Sequence, residues 1–344
     1  MKRFFCDCGQ ELYFSNTHCE KCGCDVGFDP HARQLYCGVR EGGVFTVKSP
    51  QAAGQRFKVC EHHQEPVQCN WLLPLGDAHD QCLSCRTTQV IPDLSRKKNP
   101  LRWRRLEQAK RYLFYTLMKL SLDVSGRAVY PQDGLAFQFL EDQRTNPNVS
   151  IEHVLTGHNQ GLITLNAAEA DEGFLHAMKE MMNEPYRTLL GHFRHEVGHY
   201  YWMRLLHGET LDEFRRVFGD ERYDYQQALT NYYQYGAARN WQVSFISAYA
   251  SCHPFEDWAE TWAHYLHITD TLETAYAYGV SDYQPRENDF DLWIAEWSKV
   301  AQVMNALNRS MGLADAYPFV LSPLVVNKLR FIDRLIEQGT HYKA

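Results

Sequence analysis

Residues 195–199 read His-Glu-Val-Gly-His, and these are side-chain types that zinc-dependent hydrolysis uses. On a helix, His195 and His199 are one turn apart and share a face, so two neutral imidazoles can hold one Zn²⁺. Glu196 lies beside them and can act as a base on water that the metal activates. The spacing therefore predicts His195 and His199 as zinc ligands and Glu196 as the catalytic base of a hydrolase.

The residues around this motif predict the helix that carries it. Pro185 suits the first turn of a helix, and Gly208 is a typical stop signal after the last turn. Between them, apolar residues recur at the spacings that the buried side of a helix requires: Leu189, Leu190, Phe193, Val197 and Tyr201. We therefore expect one helix over 185–207 with ligands on one side and core residues on another.

Two histidines do not complete a catalytic zinc site, which takes a third protein ligand and keeps one position open. The metzincin arrangement, a third histidine ten residues after the first, is absent because that position is Leu205. A second segment, 253–264, supplies carboxylates on a helix that Pro254 begins. Glu256 and Glu260 are four residues apart and face the same way, so one can bind zinc while the other orients a ligand histidine.

The pairing of these two segments resembles the gluzincin branch of the zincin metallopeptidases. The pattern Glu-x-x-Ala-Glu at 256–260 is close to that of the anthrax lethal factor peptidases. The resemblance implies that Glu256 is the third zinc ligand, that Glu260 orients a ligand histidine, and that Tyr249 donates to the oxyanion. From the residues alone, Glu260 could instead be the ligand with His264 as its partner, and Tyr249 could be a core tyrosine.

More closely, nearly the whole chain resembles a bacterial family of zinc-binding metallopeptidases with an N-terminal zinc ribbon. The matching stretches are 186–202, Cys69-Asn-Trp71, Thr156-Gly-His158 and 253–267. The resemblance implies an α+β fold with a zincin-like, mostly helical metallopeptidase domain and a small zinc-ribbon module. It also implies cleavage of peptide bonds, with a peptide or protein as the substrate.

Ten of the eleven cysteines lie before residue 86, and an odd, clustered set indicates metal binding rather than disulfides. Two groups of four are candidate zinc sites, the first being Cys6, Cys8, Cys19 and Cys22 and the second Cys60, Cys69, Cys82 and Cys85. We expect one or two structural Zn²⁺ ions besides the catalytic one. Cys24 and His18 are reserve ligands, because Cys6-x-Cys8 is one residue shorter than the usual pair. Cys37 and Cys252 are interpreted as ordinary thiols.

A domain boundary is expected at 91–94, where a cysteine-rich stretch with short strands gives way to helical patterns. We therefore expect a zinc-ribbon region at 1–94 and a zincin-like metallopeptidase domain at 95–344. Besides the two helices with the site residues, the predicted helices cover 100–121, 209–218, 222–235, 287–308 and 322–338. A predicted strand at 161–166 either lies at a sheet edge, where an extended substrate could pair with it, or is internal.

The composition agrees with a folded enzyme. The chain has 344 residues, of which 44% are apolar, and its formal net charge of −7 gives no reason to expect nucleic-acid binding. The sequence shows no membrane-spanning apolar run and no apolar signal core, so we expect a cytoplasmic location. The basic run 96–111 could touch phosphates, but such a run is more often a linker that enters a solvated helix face. Nothing in the sequence predicts an oligomeric state.

Two other classes of function share these features. The same zinc chemistry would hydrolyse amide bonds in a non-protein or conjugated peptide-like substrate, and no residue separates that activity from proteolysis. The chain could also be a non-catalytic zinc-dependent binding module, although an intact Glu196 argues against it. The acidic residues Asp220, Glu221 and Asp224 are reserve ligands for the case that Glu256 does not bind the metal, and otherwise begin a solvated helix.

Overall fold

The computed structural model describes residues 1–182, 188–283 and 289–341. Contacts divide the chain into two units, of which the first is 3–190 and the second combines 1–2 with 191–344. Helices and β-sheets are both present, so the predicted α+β class is confirmed. Within the described ranges, no helix combines the length and the apolar composition that crossing a bilayer requires.

The first unit begins with short antiparallel strands. A two-stranded sheet pairs β1 (Phe4–Phe5) with β2 (Glu11–Leu12). A five-stranded antiparallel sheet follows in sequence order, with β3 (Asp25–Asp29), β4 (Gln34–Glu41), β5 (Val44–Val47), β6 (Arg56–Val59) and β7 (Leu72–Pro74). Its apolar core includes Phe45, Val47 and Leu72, which are all buried. These strands place most of the cysteines in the turns and at the strand ends around the sheet.

The second sheet of this unit has four strands in the order β10, β11, β9, β8. The strands are β8 (Thr88–Val90), β9 (Ala136–Leu140), β10 (Gly157–Asn159) and β11 (Leu162–Asn166), and helices α1 (Asn99–Lys119) and α2 (Glu172–Met182) belong to the same unit. β11 pairs in parallel with β9 and antiparallel with β10. Because β11 has partners on both sides, the edge-strand hypothesis for 161–166 is wrong and the internal alternative is confirmed.

Three of the basic residues of α1 are withdrawn from solvent. Arg102, Lys110 and Arg111 are buried. Arg102 Nη2 is 2.6 Å from Asp171 Oδ2, and Lys110 Nζ is 3.0 Å from Glu107 Oε2 with both side chains fully buried. Burial and pairing withdraw these cations from solvent, so both sequence interpretations of the run, as phosphate contacts and as a solvated face, are wrong for these three residues.

The second unit contains the helices that carry the histidine motif and its partner segment. Its helices are α3 (Leu189–Leu205), α4 (Glu209–Phe218), α5 (Tyr225–Tyr235), α6 (Trp241–Ser244), α7 (Pro254–Ala277), α8 (Phe290–Ser310) and α9 (Pro323–His341). α7 packs against α4, α8 and α9. The predicted helices are therefore confirmed, with bounds that shift by a few residues.

Local capping explains the shifted bounds. α5 begins three residues later than predicted because the Asp224 side chain accepts a hydrogen bond from the Gln227 backbone N–H at 2.9 Å. α3 ends two residues early because Thr210 Oγ1 donates to the Leu205 carbonyl and accepts from the backbone N–H of residue 207. The predicted starts of α3 and α8 lie outside the described residues, at 185–187 and 287–288.

Small residues allow α3 and α7 to approach closely. Gly198 belongs to the histidine motif and lies against Ala259, where an added Cβ would be 3.1 Å from Ala259 Cα and 3.2 Å from Trp262 Cβ. Trp258 donates its indole N–H to the Gly198 carbonyl at 2.8 Å. The two backbones are therefore close enough for carboxylates on α7 to reach imidazoles on α3.

Candidate metal centre

The structure brings both motif imidazoles and one carboxylate to a common point. His195 and His199 come from successive turns of α3, and Glu256 comes from the first turn of α7. Glu256 Oε2 is 3.0 Å from His195 Nε2 and 3.5 Å from His199 Nε2. Ligands of a tetrahedral zinc ion with bonds of about 2.1 Å lie about 3.4 Å apart, so these three atoms have the spacing of a zinc ligand set.

Glu260 lies one turn further along α7 and contacts the other side of the His195 ring. Its Oε1 is 2.6 Å from His195 Nδ1, and its Oε2 accepts a hydrogen bond from the Ser247 hydroxyl at 2.6 Å. When neutral His195 donates Nδ1–H to Glu260, its Nε2 lone pair is directed at Glu256, which is the tautomer that a metal ligand needs. The two carboxylates therefore occupy different positions around the same imidazole.

The reserve candidates have local partners of their own. His264 Nδ1 is 2.8 Å from the Tyr317 hydroxyl, and burial lowers the pKa of His264 to about 4. The acidic residues before α5 also have neighbours close by in sequence: Asp220 pairs with Arg222, Glu221 pairs with Arg215, and Asp224 caps α5. These contacts agree with the simpler interpretation of that cluster as the start of a helix.

The pKa shifts at the site follow from burial and from the close pairs. Burial lowers the pKa of His195, but hydrogen bonds with Glu256 and Glu260 outweigh it and raise that pKa well above its usual value. Burial raises the pKa of Glu256, but His199 and His195 hold it well below its usual range. Despite burial, the hydrogen bond from His195 lowers the pKa of Glu260 to about 2. An ionised carboxylate as buried as Glu256 needs a cation beside it, and a divalent metal supplies one.

Glu196 follows His195 on α3 and is 7% exposed. Its Oε2 has no hydrogen-bond partner among the residues that the structure describes. Burial raises the pKa of Glu196 above its usual value, against the lowering effect of the neighbouring imidazoles. A buried, unpartnered carboxylate with a raised pKa is suited to accept a proton and to return it.

Two tyrosines lie near the Glu256 carboxylate. The Tyr249 ring centroid is 6.0 Å from that of His195, and burial raises the pKa of Tyr249 well above its usual value. Tyr225 donates its hydroxyl to Glu256 Oε1 at 2.5 Å. Sequence analysis missed Tyr225 because it lies in no motif and 31 residues before Glu256. It also assigned no role to Ser247, although this residue lies two positions before Tyr249.

A pocket of about 470 Å³ lies beside the start of α7. Tyrosines from α5 and the turn before it, Tyr223, Tyr232 and Tyr235, form part of its lining. His253 contributes its ring, but Nδ1 accepts from the Phe255 N–H and Nε2 faces the Tyr223 carbonyl. Among the residues that the structure describes, no acidic, lysine or arginine side chain lines the pocket, so it suits an uncharged group.

Each predicted group of four cysteines comes together in the first unit. The first thiol cluster is Cys6, Cys8, Cys19 and Cys22, and the second thiol cluster is Cys60, Cys69, Cys82 and Cys85. Neighbouring sulfurs are 3.5 and 3.7 Å apart in the first cluster and 3.7 Å apart in the second. Zinc–thiolate bonds of 2.3 Å in a tetrahedron place sulfurs about 3.8 Å apart, so each cluster could hold one ion. Gly9 and Gly23 have φ of 82° and 72°, which permits the tight turn after each pair.

Two further thiols lie beside the first cluster. Cys37, interpreted from the sequence as an ordinary thiol, is buried, but its Sγ is 3.2 Å from Cys6 Sγ. Cys24 Sγ is 3.6 Å from the same sulfur. His18 Nδ1 is instead 3.4 Å from the Thr17 hydroxyl. Of the two reserve ligands, therefore, Cys24 is the one that the structure places at the cluster.

Comparison with known families agrees with this architecture. Residues 99–335 match the model of a family described as "Putative zinc-binding metallo-peptidase", and residues 3–96 match a zinc-ribbon domain. The chain therefore belongs to this zinc-binding metallopeptidase family and carries an N-terminal zinc-ribbon domain, as the resemblance implied. The predicted boundary at 91–94 stays a prediction.

The relatives found among curated proteins carry no functional name. The chain is 38% identical over 348 residues to uncharacterized proteins of Mycobacterium bovis and of two strains of Mycobacterium tuberculosis. These alignments cover 98% of this chain and 96% of each relative. No solved structure matches the chain significantly. Membership of this family supports zinc-dependent peptidase activity.

Proposed function

We propose that this protein is a zinc-dependent hydrolase of peptide bonds, of the gluzincin type among the zincins. His195, His199 and Glu256 would hold the catalytic zinc. The observation that carries the proposal is that Glu256 Oε2 faces the Nε2 atoms of both imidazoles, at 3.0 and 3.5 Å. Membership of a zinc-binding metallopeptidase family supports both the metal and the class of reaction.

The residues present fit zinc rather than a harder cation. Two imidazole nitrogens and one carboxylate oxygen form a ligand set of catalytic zinc sites, and they leave one coordination position open. Magnesium and calcium prefer sites built from oxygen ligands. Glu260 would hold the His195 ring in its ligating tautomer, and Tyr225 would fix Glu256 Oε1 so that Oε2 faces the metal.

The proposed mechanism assigns a task to each of these side chains. When bound, zinc would polarise the scissile carbonyl and lower the pKa of water. Glu196 would take the proton of the attacking water and return it to the leaving amine, because its carboxylate is buried and has a raised pKa. Tyr249 would donate to the oxyanion, because its raised pKa keeps the hydroxyl protonated at neutral pH.

We further propose one structural zinc in each thiol cluster. Zinc ligation would then stabilise a cysteine-rich region, 1–94, whose strands are short, while 95–344 would form the metallopeptidase domain. Thiolate ligands need a reducing environment, which supports a cytoplasmic location. The substrate would be a peptide or protein, and the pocket beside α7 would accept an uncharged side chain.

The test is cleavage of a proteome-derived peptide library by the zinc-loaded full chain, with new termini identified by mass spectrometry. Glu196→Gln, loaded with the same amount of zinc, is the matched control. We expect wild-type cleavage that stops on chelation and returns with zinc, and no cleavage by the variant.

Three outcomes would contradict this account in different ways. Cleavage by Glu196→Gln at the wild-type rate would rule out Glu196 as the base. If the wild-type protein does not cleave peptides but hydrolyses amide conjugates, the substrate would be a non-protein compound. Full biological activity of Glu196→Gln would favour a zinc-dependent binding module.

A further inference from the structure

More cysteine thiols lie at the first thiol cluster than the four that one tetrahedral zinc ion binds. Cys6, Cys24 and Cys37 form a second group whose sulfurs all lie within 4.8 Å of one another. Cys6 Sγ is 3.2 Å from Cys37 Sγ, 3.6 Å from Cys24 Sγ and 3.5 Å from Cys22 Sγ. Cys6 therefore belongs to two groups of thiols, each of which is close enough together to bind one metal ion.

We propose that Cys24 and Cys37 bind a second thiophilic ion, which shares the Cys6 thiolate with the zinc of the first thiol cluster. The ligand class is a d¹⁰ cation such as Zn²⁺ or Cu⁺, for which thiolate is a preferred donor. The three sulfurs would leave one position of a tetrahedral ion for water or another ligand. This site concerns the cysteine-rich region alone and does not depend on the proposed peptidase activity.

The backbone fixes both additional thiols at one place. Cys37 lies in β4, is 3% exposed, and donates its backbone N–H to Ser49 Oγ at 2.9 Å. In the antiparallel register it pairs with Val26 of β3, two residues after Cys24. Cys24 directly precedes β3, and the sulfurs of Cys24 and Cys37 lie 3.6 and 3.2 Å from Cys6 Sγ. The Cys24 carbonyl also accepts the Cys19 N–H at 2.9 Å, which ties Cys24 to the first cluster.

The distances and charges both suit a shared thiolate. Sulfurs about 3.8 Å apart fit one tetrahedral ion with 2.3 Å bonds, and the Cys6 separations of 3.2–3.6 Å are somewhat shorter than this. One Zn²⁺ with four thiolates carries a net charge of −2. A second Zn²⁺ displaces two protons to solvent, one each from Cys24 and Cys37, so the net charge stays at −2. A second Zn²⁺ therefore adds no net buried charge, whereas Cu⁺ would add one negative charge.

The competing arrangement has one zinc ion, with Cys24 and Cys37 as neutral thiols that donate S–H hydrogen bonds to Cys6. Cadmium-113 NMR of the cadmium-reconstituted full chain separates the two arrangements without any substitution. We expect three sulfur-ligated cadmium signals, two from the enlarged first cluster and one from the second thiol cluster. A spectrum with only two such signals would overturn the proposal.

Zinc stoichiometry of single variants provides an independent count. Cys24→Ala and Cys37→Ala should each contain one zinc fewer per chain than wild type after reconstitution and gel filtration. Cys252→Ala is the matched control, because it removes a thiol outside both clusters and should keep the wild-type count. Wild-type zinc content in all three variants would overturn the shared site. If a variant misfolds and loses more than one ion, the number of sulfur-ligated cadmium signals from the wild-type protein decides between the two arrangements.

Discussion

Glu260→Gln is the change that separates the roles of the two carboxylates on α7. It keeps the side-chain size but removes the charge that faces His195 Nδ1 at 2.6 Å. If Glu256 is the ligand, the variant keeps all three metal-binding atoms and loses only the group that orients one imidazole. Glu256→Gln is the matched comparison, since it replaces the ligand carboxylate itself.

The expected loss can be worked out from these contacts. Replacing a residue that orients a ligand costs about 10–100-fold in metal affinity, which is about 1.4–2.7 kcal/mol. Glu260→Gln should lie near tenfold, because the amide oxygen can still accept a hydrogen bond and the Glu260 side chain is 21% exposed. Glu256→Gln should exceed 100-fold, on the order of 3 kcal/mol or more. Ser247→Ala removes the hydrogen bond to Glu260, together with the acceptor of the Ala250 backbone N–H, and should lower zinc affinity by about 1 kcal/mol, or about fivefold.

Competition with a chromogenic zinc chelator measures these affinities in the full chain, because the two thiol clusters are common to all variants. The predicted order of zinc affinity is wild type, Ser247→Ala, Glu260→Gln and then Glu256→Gln. If Glu260→Gln abolishes binding while Glu256→Gln binds zinc like wild type, the roles of the two carboxylates are exchanged and the reasoning is refuted.

Three further substitutions test the surroundings of the sites. Tyr225→Phe should weaken zinc binding by about 1 kcal/mol, because Glu256 loses a hydroxyl donor; unchanged affinity in the chelator assay would contradict this. In the wild-type protein, Lys328 Nζ is 2.6 Å from Oδ2 of the fully buried Asp257. Lys328→Met leaves this carboxyl without its cation and should lower the free energy of unfolding by about 3–5 kcal/mol. Denaturant unfolding measures this loss, and adding Asp257→Asn should recover most of it. The buried Arg111 guanidinium lies near the second thiol cluster and offsets the negative charge of its thiolates. Arg111→Met should therefore speed zinc release from that cluster, and an unchanged release rate would argue against this role.

Most helices of the second unit, and the face of its helix on which each candidate ligand lies, could be predicted because both depend on local patterns. Periodic apolar residues define the helices, and four-residue spacing places Glu256 and Glu260 on one face of α7. The sequence did not show how α7 meets α3. That approach depends on Gly198 and Ala259, whose importance is visible only once the two helices are packed together.

Features that depend on tertiary pairing were missed or predicted wrongly. Tyr225 reaches Glu256 from a different helix, so no spacing rule connects the two residues. The strand at 162–166 is internal because β9 and β10 both pair with it, and sequence alone does not fix strand order. Lys110 looked like a solvated cation until the structure placed it against Glu107 in the interior. For Tyr225 and for the strand, the decisive neighbour is distant in sequence. For Lys110 the partner is three residues away on the same helix, and the burial of both side chains is what the sequence did not show.

The position of the catalytic zinc tests the central claim most directly. Anomalous diffraction at the zinc absorption edge, from crystals of the zinc-loaded full chain, locates the ion without assumptions about activity. We predict a peak about 2.1 Å from His195 Nε2, His199 Nε2 and a Glu256 oxygen, with Glu260 bound only to the His195 ring. A peak ligated by Glu260 in place of Glu256, or no peak between the two imidazoles, would contradict the account.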